Sequence, residues 1–193
     1  MTEEGRIVAC FRWRGAVALA DRSEEYAVAA HAVFTRAEST GAKLVAWHAA
    51  SFAVAFPREG LEHLVELLTD DDSPALGFSV GIAQGELGSI GGEAGGLTFA
   101  WGPPLVMAWA LARVARSGEV LLDPEIDAVR DEELLVRGSR IGLLGGARVR
   151  GVRLDLRHPW QPERGFPTVA LVRSRYLGGD PVAPPPGTLG LVT

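Results

Sequence analysis

The spacing of apolar residues changes period several times along this chain, and each change marks an element. Arg6 to Trp13 (RIVACFRW) alternates and predicts a strand, with Ile7, Ala9 and Phe11 on one face and Val8, Cys10 and Arg12 on the other. Asp21 to Thr40 follows with helical spacing, its stripe formed by Tyr26, Ala29, Ala30, Val33, Phe34 and Ala37. Asp21 and Glu24 fit a capping box, in which acidic side chains satisfy the free N–H groups of a first turn, and Gly41 ends the helix. Lys43 to Phe56 predicts a hairpin of KLVAWH and SFAVAF. Arg58 to Thr69 predicts a second helix with Leu61, Leu64, Val65 and Leu68 inward and Glu62, His63 and Glu66 outward. Leu76 to Gly85 predicts a core strand, and residues 85–96 (GELGSIGGEAGG) a glycine-rich loop between strands.

The stretch from Gly95 to Asp123 packs strand, turn, helix, turn and strand into one short segment. Leu97 to Trp101 is apolar and rich in strand formers. Gly102-Pro103-Pro104 stops it and presets a helix start, since proline fixes φ and needs no N–H in a first turn. From Leu105 to Arg116, Leu105, Ala108, Leu111, Ala112 and Ala115 recur at helical spacing, while Arg113 and Arg116 face away. Ser117-Gly118 closes the helix, and Val120-Leu121-Leu122 is a short buried strand. Pro124 to Leu135 offers one or two helical turns with Ile126 and Val129 inward. Ser139 to Leu144 and Ala147 to Leu156 predict a closing hairpin turned by Gly145-Gly146, with Val149, Gly151, Val152, Leu154 and Leu156 on its buried sides.

Composition then narrows the class. A length of 193 residues and a 47% hydrophobic content suit one domain with a real core plus an extension. A net charge of −5 with interspersed signs leaves no basic footprint for nucleic acid. No apolar run is long enough to span a bilayer and no signal sequence opens the chain, so no membrane insertion is expected. The single cysteine, Cys10, lies inside an apolar strand and reads as a buried, inert thiol suited to a reducing cytoplasm. The Ala, Arg and Gly bias points weakly to a bacterial genome. His31 has no second ligand at helical spacing. The Asp70-Asp71-Asp72 run lacks the alternating ligands and glycine of a calcium loop. The glycine-rich loop has neither GK[ST] nor a helix-opening G-x-G-x-x-G for phosphate. No cofactor is expected. The domain is placed at residues 1–157. The tail, 158–193, holds seven of the twelve prolines together with Trp160, Phe166, Val169, Leu171 and Tyr176, and reads either as a linker or as an interaction arm.

WGPPLVMAWALARVARSGEVLLDPE resembles, without a gap, a segment of the class III adenylate and guanylate cyclase domains, W-G-D-x-V-N-x-A-x-R-L-x-x-x-A-x-x-G-x-I-x-x-S. Trp101, Gly102, Leu105, Ala108, Leu111, Ala115, Gly118 and Val120 match its framework. Gly41 to Phe56 resembles the family's hairpin, Phe11 the phenylalanine of its F-x-D, and Gly81-Ile82 with Gly85 its R-x-G-I-H-x-G. The resemblance runs over roughly residues 6–156 and implies an α+β, ferredoxin-like βαββαβ fold.

The family's chemical residues do not carry over. Its two metal-binding aspartates fall on Trp13 and Ala50, its base-selecting lysine and aspartate on Ala46 and Phe99, and its transition-state asparagine and arginine on Val106 and Ala110. All six replacements are apolar, and Mg²⁺ demands oxygen ligands. What the resemblance implies here is therefore a cyclase-like pseudoenzyme with no catalytic and no metal residues, for which nucleotide binding is not expected. Cyclase domains pair with their active sites at the dimer interface. A homodimer or protein partner is accordingly expected at the old groove, with Trp13, Trp47, Phe99, Trp101, Trp109, Trp160, Phe166 and Tyr176 as candidate interface residues. Intradomain packing is the alternative for the tryptophans. A sensor that binds a nucleotide or another small molecule in the old cleft is the alternative function.

Overall fold

The computed structural model describes residues 4–13, 19–48, 50–70, 73–90 and 99–160. Its elements run β1 (Glu4–Trp13), α1 (Leu19–Glu38), β2 (Lys43–His48), β3 (Ser51–Pro57), α2 (Leu61–Thr69), β4 (Phe78–Ile90), β5 (Phe99–Trp101), α3 (Pro103–Val114), β6 (Val120–Leu122), α4 (Asp127–Arg130), β7 (Val136–Leu144) and β8 (Ala147–Leu154). The strands form one sheet in the order β2-β3-β1-β4-β6-β8-β7, with β5 paired to β4. Its first four strands are antiparallel neighbours, β1 lying between β3 and β4. With α1 and α2 this is the ferredoxin-like βαββαβ core the sequence leads one to expect. α3 then crosses to bring β6 parallel to β4, and the β7–β8 hairpin extends the sheet beyond β6.

The strand pattern explains the two cores. β1 is central, so Ile7 to Phe11 are all buried. Ile7, Ala9 and Phe11 join Phe52, Phe56, Phe78 and Ile82 under α1 and α2. Val8 and Cys10 face α3 with Ala53, Ala55, Ala83, Ala108 and Ala112. Burial pushes the Cys10 thiol far up from its ordinary value, because a thiolate there would lose its hydration; the Arg12 charge only partly opposes this.

The second face is made of small residues, and α3 rests on it at backbone contact. A methyl group on Gly81 of β4 would stand 2.2 Å from the Ala108 carbonyl oxygen and 2.4 Å from the Ala112 nitrogen. Gly151 of β8 makes room for the Leu111 side chain, and Gly142 of β7 for that of Val114. The buried Ser79 hydroxyl donates to the Ala112 carbonyl at 3.0 Å and fixes the helix along its length.

The other face carries an aromatic cluster. Phe11 and Phe52 stack at 5.0 Å, Phe78 meets Phe11 edge-on, and Tyr26 touches Trp13, Trp47 and Phe78. The Tyr26 hydroxyl is buried there with no hydrogen-bond partner among the described residues. Burial, with a smaller push from Cys10, lifts its phenol up to about 12. Tyr26→Phe is expected to raise stability by about 1 kcal/mol in urea melts, since it removes an unsatisfied polar group and keeps the ring. A loss of stability would mean that the hydroxyl has a partner.

Several local expectations change. α1 begins at Leu19, so Asp21 lies inside the helix and does not cap it. α2 also buries Leu67, because its inward stripe is wider than the spacing suggested. β4 continues through residues 85–90, which the glycines had marked as loop; residues 91–98 lie outside the described residues. Glycine serves there as clearance, since a methyl group on Gly88 would meet the Trp101 indole at 2.6 Å. α3 starts at Pro103 and ends at Val114, where Ala115 turns extended, ahead of the expected Ser117-Gly118 stop. Gly145 and Gly146 turn the closing hairpin with φ of +57° and +85°, the left-handed pair that a two-residue hairpin turn requires.

Candidate functional site

The hairpin tip, β5 and the start of α3 come together on the α3 side of the sheet. A register shift between Leu44 and Ala46 lets Val45 and Ala46 both face α3. His48 then meets Trp109 of α3 edge-on, with ring centroids 6.4 Å apart. Ala100, Leu105 and Met107 pack beside Trp109 against the same core. Val106 stands 69% exposed on the outer side of α3, and Trp101 remains exposed at the end of β5. β2, β5 and the first turns of α3 thus border one mostly apolar face, the groove, with His48 at its edge.

The six family positions divide between the two sides of the sheet. Trp13 and Ala50 meet through the backbone, the Trp13 N–H donating to the Ala50 carbonyl at 2.8 Å. β1 and the hairpin tip are therefore adjacent, as the resemblance implies for its two aspartates. The side chain of Trp13 nevertheless lies on the α1 side, because strict alternation from Phe11 carries residue 13 to that face. It meets Tyr26 and Phe78 edge-on and lies against Gly77. Ala46 lines the groove, and Ala110 is buried beneath α3 with Leu111 and Leu121. Phe99 pairs with Ile90 in β5.

The candidate interface aromatics divide similarly. Trp109 belongs to the groove, while Trp101 is exposed with its indole over Gly88 of β4. Trp47 is half exposed at the edge of the aromatic cluster, stacked on Phe52 at 5.5 Å. Trp160 packs against the α1-side core and bridges to Leu134, so the described packing continues past residue 157. Phe166 and Tyr176 lie outside the described residues, as does the rest of the chain from residue 161. Among the described residues, no three His, Cys, Asp or Glu side chains gather as a metal site. No helix among the described residues is long and apolar enough to cross a membrane.

A polar cluster that sequence reasoning missed sits beyond the other end of α3. Glu119 and Asp155 are buried carboxylates. Glu119 accepts from Arg140 at 2.8 Å and from the Arg116 backbone N–H at 2.7 Å. Asp155 accepts from Arg137 at 2.6 Å and from the Arg157 N–H at 3.1 Å. Burial alone would raise both carboxyls, but these hydrogen bonds and arginine charges hold them below the ordinary carboxylate range. The only hint in the sequence was an acid in a glycine turn (SGEV), with its partners far off in the chain.

The fold has counterparts among solved structures. The guanylyl cyclase Cya2 is 15% identical, with 84% of this chain and 96% of that one covered and a TM-score of 0.60. An adenylate cyclase of Trypanosoma brucei is 17% identical, with coverage of 84% and 91% and a TM-score of 0.62. The adenylyl cyclase CyaB of P. aeruginosa is 13% identical, with coverage of 86% and 100% and a TM-score of 0.55. The chain thus has the fold of adenylyl and guanylyl cyclase domains. No family model matches it, and neither does any curated protein.

Proposed function

We propose that this chain is a cyclase-fold domain without cyclase activity, serving as a protein-interaction or regulatory module in bacterial signalling. It works through a homodimer or a protein partner seated on the groove of β2, β5 and α3. The observation that carries this reading is the groove wall itself. Ala46 and the exposed Val106 put apolar side chains where the resemblance places a lysine and an asparagine, and Trp109 packs with Ala46 against the same core. An exposed valine on a well-packed helix and an exposed tryptophan in the strand before it fit the composition of a docking surface. Assembly is compatible with the fold, since one neighbour is described as a dimeric guanylyl cyclase domain and another as an adenylate cyclase in its monomeric state. The buried, inert Cys10 fits the cytoplasm.

The test is isothermal titration of ATP and GTP with magnesium or manganese, with the mass in solution recorded on the same sample. The expected result is no metal-dependent nucleotide binding and a mass above that of one chain, or capture of a protein partner that Val106→Asp abolishes. Metal-dependent nucleotide binding would overturn the reading in favour of a small-molecule sensor, and turnover to a cyclic nucleotide would make it an enzyme.

A further inference from the structure

The cluster around Glu119 and Asp155 walls an open cleft of about 350 Å³. The turn from α3 to β6 supplies Arg116 and Ser117-Gly118, β7 supplies Arg137, β8 supplies Arg153, and the turn after β8 supplies Arg157. This volume lies at the small end of ligand pockets, which begin at roughly 300 Å³.

Donors outnumber acceptors at this site. Each of the four carboxylate oxygens already has a protein donor: Oε1 and Oε2 of Glu119 from Arg140 and the Arg116 N–H, Oδ2 and Oδ1 of Asp155 from Arg137 and the Arg157 N–H. The guanidinium groups are far from saturated. Among the described residues, Arg137 bonds only through Nε, and Arg140, beside the cleft, only through Nη2 with its buried Nε unpartnered. Arg153 approaches Glu119 only to 3.9 Å, and the Arg116 and Arg157 side chains make no ion pair among the described residues. Four lining guanidinium groups, with Arg140 beside them, against two carboxylates concentrate positive charge in one cleft of a chain whose net charge is −5. Asp155 fixes the Arg137 head in place, so part of the ordering that a ligand would otherwise impose is already done.

We propose that this cleft binds a small phosphorylated ligand, whose phosphate oxygens are held by Arg116, Arg137, Arg153 and Arg157. A guanidinium offers paired N–H donors at the spacing of two phosphate oxygens. A di- or triphosphate group brings enough oxygens to engage several such forks at once, which a single carboxylate does not. The cleft and the groove flank opposite ends of α3, so this proposal stands independently of the function assigned to the groove.

The full chain is titrated with inorganic pyrophosphate in EDTA at low salt, alongside ADP, and with sulfate at matched ionic strength. Saturable single-site binding is expected, weaker at higher salt. It should weaken about tenfold or more in the double variant Arg116→Gln, Arg157→Gln, and again in Arg153→Gln. Neither variant removes a close ion pair, and far-ultraviolet circular dichroism with urea melts confirms that both fold. ADP binding tighter than pyrophosphate would assign the cleft to nucleotides, and equal binding to the phosphate group alone; both support the site. No saturable binding up to about 10 mM pyrophosphate would overturn it. So would equal binding of sulfate, or affinity unchanged in both variants. Any nucleotide binding that needs a divalent cation and survives the arginine substitutions belongs to the groove, which keeps the two tests separate.

Discussion

Gly81→Ala is expected to destabilise the domain by roughly 3 kcal/mol, or to leave it unfolded. The added methyl would stand 2.2 Å from the Ala108 carbonyl oxygen, 2.4 Å from the Ala112 nitrogen and 2.7 Å from the Leu111 Cβ. All three belong to the body of α3, so no side-chain rotation relieves the clash. The helix would have to lift from β4. Lifting would open gaps above Ala83 and Cys10 and break the hydrogen bond from Ser79 to the Ala112 carbonyl. Gly5→Ala is the control: among the described residues its methyl would meet only the Arg58 side chain, at 3.9 Å, and the change should stay within about 0.5 kcal/mol. Urea midpoints for the two variants, read at a common slope, give the comparison. Equal midpoints would mean that α3 does not rest on β4 as described.

Glu119→Ala is expected to cost about 3 kcal/mol, near the low end for breaking a buried ion pair. Glu119 is 8% exposed and joins three parts of the chain: the turn after α3 through the Arg116 N–H, β7 through Arg140, and β8 through Arg153. Its removal strands the largely buried Arg140 and frees the turn; Arg153, nearly half exposed, can rehydrate, which keeps the loss from being larger. The sign with pH follows from the direction of the shift. Glu119 and Asp155 ionise more readily folded than unfolded, so their stabilisation is present above the ordinary carboxylate range, about pH 4. It is lost as pH falls through their lower folded values. The wild-type domain should therefore lose stability steeply below about pH 4, and Glu119→Gln should flatten that slope while Asp155 keeps part of it. Parallel acid profiles for the two proteins would remove Glu119 from the account.

Much of the fold was legible from periodicity because β1, the β2–β3 hairpin and the closing hairpin alternate cleanly, and Gly145-Gly146 sits where only a two-residue turn fits. Residues 85–90 were not legible. Glycine is read as a loop former, yet Gly85 and Gly88 lie in a strand where Pro104 and Trp101 approach, a requirement set by residues that follow in the chain. The face on which Trp13 would pack was likewise hidden: motif alignment put it at a metal position, while strand alternation put its ring among Tyr26 and Phe78. The groove was partly visible, since Ala46, Val106 and Trp109 carry its apolar character. The arginine cleft was not visible at all. Its charges come from α3's end, β7 and β8, and only the topology β6-β8-β7 makes them neighbours.

The glycine bed beneath α3 also bears on how a partner would bind. A helix whose backbone rests on β4 and whose Leu111 and Val114 side chains seat over glycines of β8 and β7 has little freedom to slide or roll, and its buried amides should exchange with solvent only when the sheet itself opens. A protein docking against Val106 and Trp109 therefore meets a surface already rigid before contact. The entropy that a looser helix would surrender on association has been given up during folding, so more of each buried apolar area appears as affinity.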